Sequence, residues 1–326
     1  MQILIVGCGS IGERHMRNLR TLGVADIGVV DPLTARVDEA VRKLGARRHR
    51  QLGEGLASKP DAVLVCTPPH AHTSVARQAI SAGCHVFIEK PLANMLEGID
   101  ELLAEAACRG RIIYVGYNLR FHAGLRRLKQ RLDEAVIGRT MNIRAEFGQY
   151  LPDWRPTQDY RQTYTAHVAM GGGIILDASH ELDYVRWLCG EIESVSCAAG
   201  KLSGLEMDTE DMAEITLRIK GNLIAQVHLD CLQRDYVRTC KVVGEKGTLI
   251  WDLKQGVRHY DAATARWQDE PIVPDLNDMY VKEMEHFLSC VRGEASPLVD
   301  GVTGKRVLEL ALAAKRSSRE HCEVRL

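Results

Sequence analysis

Over roughly the first third of the chain, short continuous apolar runs alternate with stretches of helical period. The runs are Ile3–Val6, Ile27–Val30, Asp61–Cys66 (apolar from Ala62), Cys84–Ile88 and Ile112–Val115. Between them, helical spacing covers Ile11–Leu22, Thr34–Leu44, Thr73–Ala82 and Met95–Cys108, with Gly45 and Gly83 as helix stops. A strand that is apolar at every position is buried on both faces, as in a parallel sheet covered by helices on each side. The alternation predicts an α/β fold class with a doubly wound parallel sheet. Ligands of such a sheet lie beyond the carboxyl ends of its strands.

After Asn118 the pattern changes. A helix at Gly124–Glu134 and a strand at Met141–Phe147 lead into a long polar and aromatic stretch, Gly148–Met170. Loops of that length are usually functional or disordered, and its aromatics and arginines favour an ordered binding loop. Gly171-Gly172-Gly173 then introduces what reads as one continuous helix, Ile174–Cys189, closed by Gly190. Alternating runs follow at Ser194–Ala198, Met212–Ile219, Leu223–Leu229, Val237–Val243 and Thr248–Leu253, and helices at Met279–Val291 and Val302–Ser317 end the chain. This is the pattern of an α+β domain with a large, mainly antiparallel open sheet. The division expected is residues 1–118 and residues 119–326, with the last helices able to pack back on the first domain.

Composition narrows the function. With 326 residues, 45% hydrophobic, 26% charged and a formal net charge of −1, the chain has the balance of an ordinary globular protein. No bulk field recruits nucleic acid or an acidic membrane, and neither is expected as a partner. No apolar run approaches the ~18 residues of a membrane span. The opening strand leaves no room for a signal peptide. Ten scattered cysteines with no C-x-x-C pair read as reduced thiols of a cytoplasmic protein, and no metal-ligand spacing is present.

Candidate chemistry begins at Gly7-Cys8-Gly9-Ser10-Ile11-Gly12, directly after the first strand. Gly7 permits the tight turn, Gly9 lets backbone approach a pyrophosphate, and Gly12 lets helix and strand pack closely. The helix N-terminus at Ser10 and Ile11 offers N–H groups to phosphate. Asp31, at the end of the second strand, sits at the spacing expected of a carboxylate that binds ribose hydroxyls. Its charge favours NAD, while nearby Arg36 keeps NADP open.

The chain resembles the glucose–fructose oxidoreductase / inositol dehydrogenase (Gfo/Idh/MocA) family. The resemblance rests on Gly7-x-Gly9-x-x-Gly12, Thr67-Pro68-Pro69-x-x-His72, Glu89-Lys90-Pro91 and Gly171-Gly172-Gly173-x-x-x-Asp177-x-x-His180-x-x-Asp183. Asp177 and His180 are three apart, where the family usually spaces them by four. A subset associated with bacterial surface-sugar clusters is similar, with Pro152-Asp153-Trp154-Arg155-Pro156 and Asp159-Tyr160-Arg161 before the glycines. The resemblance implies a Rossmann domain followed by an α/β domain whose open sheet commonly forms an oligomer interface, a homodimer or homotetramer. It also implies an NAD(P)-dependent dehydrogenase of a sugar, sugar nucleotide or cyclic polyol.

Hydride transfer from a carbinol needs a base at the reacting carbon and an oriented cofactor. Lys90, at a strand end, and His180 are the candidate catalytic groups, with Asp177 or Asp183 supporting the imidazole. Thr67, Pro68, His72 and Glu89 join the glycine loop, Asp31 and Lys90 as expected cofactor contacts. Tyr117, Asn118, Arg120, Trp154, Tyr160 and Arg161 join Lys90, Asp177 and His180 as expected substrate contacts. The competing reading is a catalytically silent binding protein that senses NAD(H) or a sugar.

Overall fold

A computed structural model describes all 326 residues, which divide into two compact units. The first comprises Met1–Asn118 and Leu276–Leu308, the second Leu119–Asp275 and Glu309–Leu326.

In the first unit the order is β1 Gln2–Val6, α1 Ser10–Thr21, β2 Asp26–Val30, α2 Thr34–Leu44, β3 Arg47–Arg48 and α3 Leu52–Ala57. It continues with β4 Ala62–Val65, α4 His72–Ser81, β5 His85–Glu89, α5 Ile99–Cys108 and β6 Ile113–Gly116. The strands form one parallel sheet in the order β3–β2–β1–β4–β5–β6. This is the doubly wound order, in which the chain reverses the side on which it adds strands between β1 and β4. Ile3–Ile5, Val63–Val65 and Val86–Ile88 are fully or almost fully buried, which is why those runs carry no polar alternation. α5 starts later than its apolar spacing predicts. Gly98, at φ 74°, precedes it, and Met95 and Leu96 lie exposed in the turn before.

The second unit carries α6 Ala123–Asp133, β7 Thr140–Gly148, α7 Leu151–Trp154, α8 Ile174–Asp177 and α9 His180–Cys189. After these come β8 Ile192–Gly200, β9 Met212–Ile219, β10 Leu223–Asp230, β11 Val237–Gly244, β12 Gly247–Asp252, β13 Gly256–Asp261 and β14 Arg266–Glu270. The chain then gives α10 Asp278–Val291 to the first unit, runs through α11 Gly301–Glu320, and closes with β15 Val324–Arg325. Nine strands form one sheet in the order β14–β13–β12–β11–β7–β10–β9–β8–β15. Only the β7–β10 pair is parallel.

Two expectations are corrected. The helix expected over Ile174–Cys189 is broken at Ala178-Ser179, so Asp177 ends one helix and His180 begins another. Three strands of the nine-stranded sheet escape the alternation pattern: β13, the charged edge strand β14 and the two-residue β15. The stretch from Gly148 to Met170 is ordered by α7 and three single turns, Tyr160–Gln162, Tyr164–Ala166 and Val168–Met170.

Candidate active site

The glycine loop leaves β1 at the switch point of the parallel sheet. Gly7 has φ 101°, and a Cβ there would stand 2.5 Å from the Cys66 carbonyl oxygen. A Cβ on Gly12 would stand 2.0 Å from the Gly7 carbonyl oxygen. Neither position tolerates a side chain. Gly9 is different in kind. The nearest atom to its imaginary Cβ is an Arg36 guanidinium nitrogen at 3.9 Å, so the space over it is open for a ligand. Beyond it α1 begins at Ser10, with unpaired first-turn N–H groups of the sort that bind phosphate.

Asp31 sits just past β2. Its Oδ2 accepts the Cys8 N–H at 2.7 Å and its Oδ1 accepts the Leu33 N–H at 2.8 Å. Arg36 Nη1 lies 3.8 Å from Oδ2. Burial, with the charge of Asp31 beside it, pushes the Cys8 thiol up to about 12, so the sulfur is an inert filler of the loop.

Thr67 and Pro68 follow β4, and Lys90 follows β5, at neighbouring strand ends of the same sheet. Lys90 is half-buried, and its bond to Pro91 is cis. Two expected cofactor contacts turn inward instead. His72 is almost fully buried, with Nε2 2.8 Å from the Thr67 carbonyl oxygen and Nδ1 2.9 Å from that of Pro91. Burial lowers its pKa, and a neutral ring donates to one of these carbonyls at a time. His72 therefore ties the Thr67 loop to the Pro91 loop. Glu89 has Oε1 2.6 Å from His15 Nε2, while its Oε2 accepts the Lys90 backbone N–H at 3.2 Å.

In the second unit, Asp177 is held by two hydroxyls. Tyr164 donates to Oδ1 at 2.6 Å and Thr165 donates to Oδ2 at 2.5 Å. The triple glycine explains how that turn comes so close. A Cβ on Gly172 would stand 2.2 Å from the Tyr164 carbonyl oxygen and 2.6 Å from that of Thr165. Gly173, at φ 107°, clears the Glu210 carboxylate, which pairs with Lys315 at 3.1 Å.

His180 opens α9, nearly buried. The two acids of its first turn are locked in buried ion pairs. Glu181 meets Arg238 of β11 at 2.9 Å. Both oxygens of Asp183 accept from Arg120, each at 2.7 Å. Both carboxylate oxygens of Asp183 are thus taken up by Arg120. Arg120, expected as a substrate contact, is a buried structural partner whose guanidinium also lies over Trp187, 5.0 Å from the ring centre.

The remaining substrate candidates are also engaged. Tyr117 is fully buried, and Asn118, also buried, hydrogen-bonds the Tyr280 hydroxyl. The Trp154 indole donates to the Gln149 carbonyl at 2.9 Å, and its ring packs edge-on against Phe147. The Tyr160 hydroxyl accepts the Glu206 N–H at 3.1 Å. Arg161 is neutralised by Asp159 at 2.9 Å and Glu206 at 3.3 Å. The polar groups of Trp154, Tyr160 and Arg161 order the loop itself. Sequence spacing gave no role to His15, Thr165, Glu181 or Arg238, since their partners lie far along the chain.

Comparisons with known proteins agree with this architecture. Residues 1–117 match the model of an oxidoreductase family with an NAD-binding Rossmann fold (GFO_IDH_MocA), and residues 125–250 match the GFO/IDH/MocA C-terminal domain. A myo-inositol 2-dehydrogenase of Thermotoga maritima is 29% identical, over 100% of this chain and 98% of its own length. An inositol 2-dehydrogenase of Ralstonia nicotianae is 30% identical over 90% of this chain and 87% of its own. Among solved structures, the WlbA dehydrogenase from Bordetella pertussis, in complex with NADH and UDP-GlcNAcA, superposes with a TM-score of 0.85. It covers 100% of this chain and 98% of its own at 24% identity, a likeness of fold.

Proposed function

The chain belongs to the Gfo/Idh/MocA family of NAD-binding oxidoreductases, and from that premise we propose that it oxidises or reduces a CH–OH group of a cyclic polyol or sugar, with NAD as cofactor. The observation that carries this reading is the open space over Gly9 at the sheet's switch point, with Lys90 at the end of β5, two strands away in the same sheet. The residues fit the cofactor. Gly9 and the N–H groups of Ser10 and Ile11 would hold its pyrophosphate, Asp31 a ribose, and Thr67 and Pro68 would line the nicotinamide side. Bound NAD supplies the hydride acceptor.

The chain's own residues move the proton. Lys90 hydrogen-bonds the reacting hydroxyl and holds it in orientation. His180 takes or returns the hydroxyl proton, the general acid–base role that histidine fills most often. Asp177 shapes the same half-site through Tyr164 and Thr165. The inositol dehydrogenases among the relatives support a neutral ring polyol as substrate, and Arg161 of the loop is already paired with Asp159 and Glu206.

We assign the protein to the cytoplasm as a homodimer or homotetramer. Six of its ten cysteines are buried thiols, which suits a reducing compartment. No helix is long and apolar enough to cross a membrane.

The test is NADH formation with myo-inositol, scyllo-inositol, free sugars and sugar nucleotides. Lys90→Met and His180→Asn are each expected to lower kcat by about 10²–10⁴-fold, the usual scale of general acid–base help, with NADH still bound. If NADH binds but nothing on the panel turns over and Lys90→Met changes nothing, the protein is a sensor.

A further inference from the structure

One buried pair of the first unit takes no direct part in the reaction. His15 lies on α1, the helix whose N-terminus faces the open space over Gly9, and its side chain is fully buried. Its Nε2 is 2.6 Å from Glu89 Oε1. The ring packs edge-on against Phe87 at 5.2 Å and against Tyr280 of α10 at 6.3 Å. Nδ1 meets no hydrogen-bond partner, so Nε2 carries the proton and donates to the carboxylate.

Glu89 continues the chain of contacts. Its other oxygen accepts the backbone N–H of Lys90. Gly116, its partner across the sheet in β6, leaves it room: a Cβ there would stand 2.9 Å from the Phe87 ring and 3.4 Å from the Glu89 carboxyl carbon. α1 is also braced by residues at the start of α10. Arg14 lies over the Tyr280 ring at 4.4 Å, and Asn277 donates to Asn18 at 2.8 Å. A buried polar pair is a poor source of stability compared with an apolar pair of the same volume. This one stands where a helix bearing phosphate donors meets the backbone of a candidate catalytic lysine.

We infer that His15 and Glu89 are positioning residues that couple α1 to Lys90, so that a dinucleotide seated on α1 fixes where the ammonium stands. The inference rests on the reading of Lys90 as catalytic. A dinucleotide that draws the first turn of α1 toward it moves His15. Glu89 follows through one hydrogen bond, and the Lys90 backbone through a second. Mere packing would require only shape at position 15, whereas coupling requires a donor there.

The experiment compares the full-length protein with His15→Leu, His15→Gln, Lys90→Met and the double variant His15→Leu/Lys90→Met. NADH binding is followed by fluorescence, and turnover of myo-inositol with NAD is measured across pH. His15→Leu is expected to lower kcat about tenfold or more, since small misplacements are costly, while the Kd for NADH changes by less than about threefold. The pH profile of kcat should move as well, and His15→Gln, which keeps a donor, should recover most of the loss. On the Lys90→Met background, His15→Leu should have no further effect.

Additive losses, an unchanged kcat and pH profile, or NADH affinity falling in step with kcat would each overturn the coupling. Lys90→Met with intact turnover sinks the Lys90 reading instead, however His15 behaves. Should myo-inositol not turn over, an isotopically labelled dimethyl tag on Lys90, assigned by its loss in Lys90→Arg, gives an NMR readout. NADH should shift that signal further in the parent and in His15→Gln than in His15→Leu, where only the direct effect of the nearby nicotinamide remains; equal shifts in all three overturn the inference. If His15→Leu does not fold, Glu89→Gln takes its place with the same expected and overturning results.

Discussion

Asp31 shows how a single side chain can shape a loop and still be available to a ligand. A carboxylate offers about four lone-pair sites, and the Cys8 and Leu33 N–H groups take two of them. The rest can receive ribose hydroxyls. Charge-assisted hydrogen bonds of this type are worth about 1.5–3 kcal/mol, so Asp31→Ala should weaken NADH binding by about 10–100-fold, read by fluorescence titration. NADPH should bind the parent more weakly than NADH, and the gap should narrow in the variant because Arg36, 3.8 Å away, is left without its acid. A variant with the same NADH-to-NADPH ratio as the parent would show that Asp31 serves the loop alone. The glycine loop and Asp31 were legible in the sequence because their constraints are local, set by turn, helix start and strand end. The roles of His72, Glu89 and Arg120 were not, since each depends on a partner that folding brings in: Pro91, His15 and Asp183.

At the scale of elements, the break between α8 and α9 is the feature on which His180 depends. Ala178 and Ser179 are compatible with helix, so periodicity runs through them unbroken. Tertiary contacts decide the matter: Asp177 is drawn to Tyr164 and Thr165, while the first turn of α9 is drawn to Arg120 and Arg238. Acids in a first turn also suit the positive end of the helix dipole. Removing one partner of a buried ion pair leaves an uncompensated charge, which costs about 3–5 kcal/mol. Asp183→Asn should therefore lower stability by that order in urea unfolding and reduce turnover through His180. The double variant Arg120→Met/Asp183→Leu, which removes both charges, should recover much of the stability. A single variant as stable as the parent would show that the pair does not hold α9. The same competition between local pattern and distant partner accounts for β14, whose charged residues read as loop until β13 pairs with it.

For the whole molecule, the nine-stranded sheet presents one face whose character follows from its register. One row across it runs Arg218–Ile224–Asn142–Val243–Thr248–Tyr260–Trp267, and the next runs Thr216–Gln226–Arg144–Lys241–Ile250–Arg258–Asp269. The alternate positions, such as Ala225, Ile143, Val242 and Leu249, are buried on the other side. Ile224 and Trp267 are large apolar groups left exposed among long polar ones, the mixture of apolar patches and polar surround that suits association between copies of one chain. A self-complementary contact places each residue near its symmetry mate or that of a neighbour, so a new charge in the apolar row is repeated on both copies. Ile224→Asp should then shift the mass measured by light scattering from a dimer or tetramer to the monomer. The fold should survive, because the side chain already faces out of the unit. An unchanged mass would move the interface to another surface. A parent protein that is monomeric at all concentrations would remove the oligomer from the proposed function, while leaving the proposed cofactor contacts, all of them in the first unit, untouched.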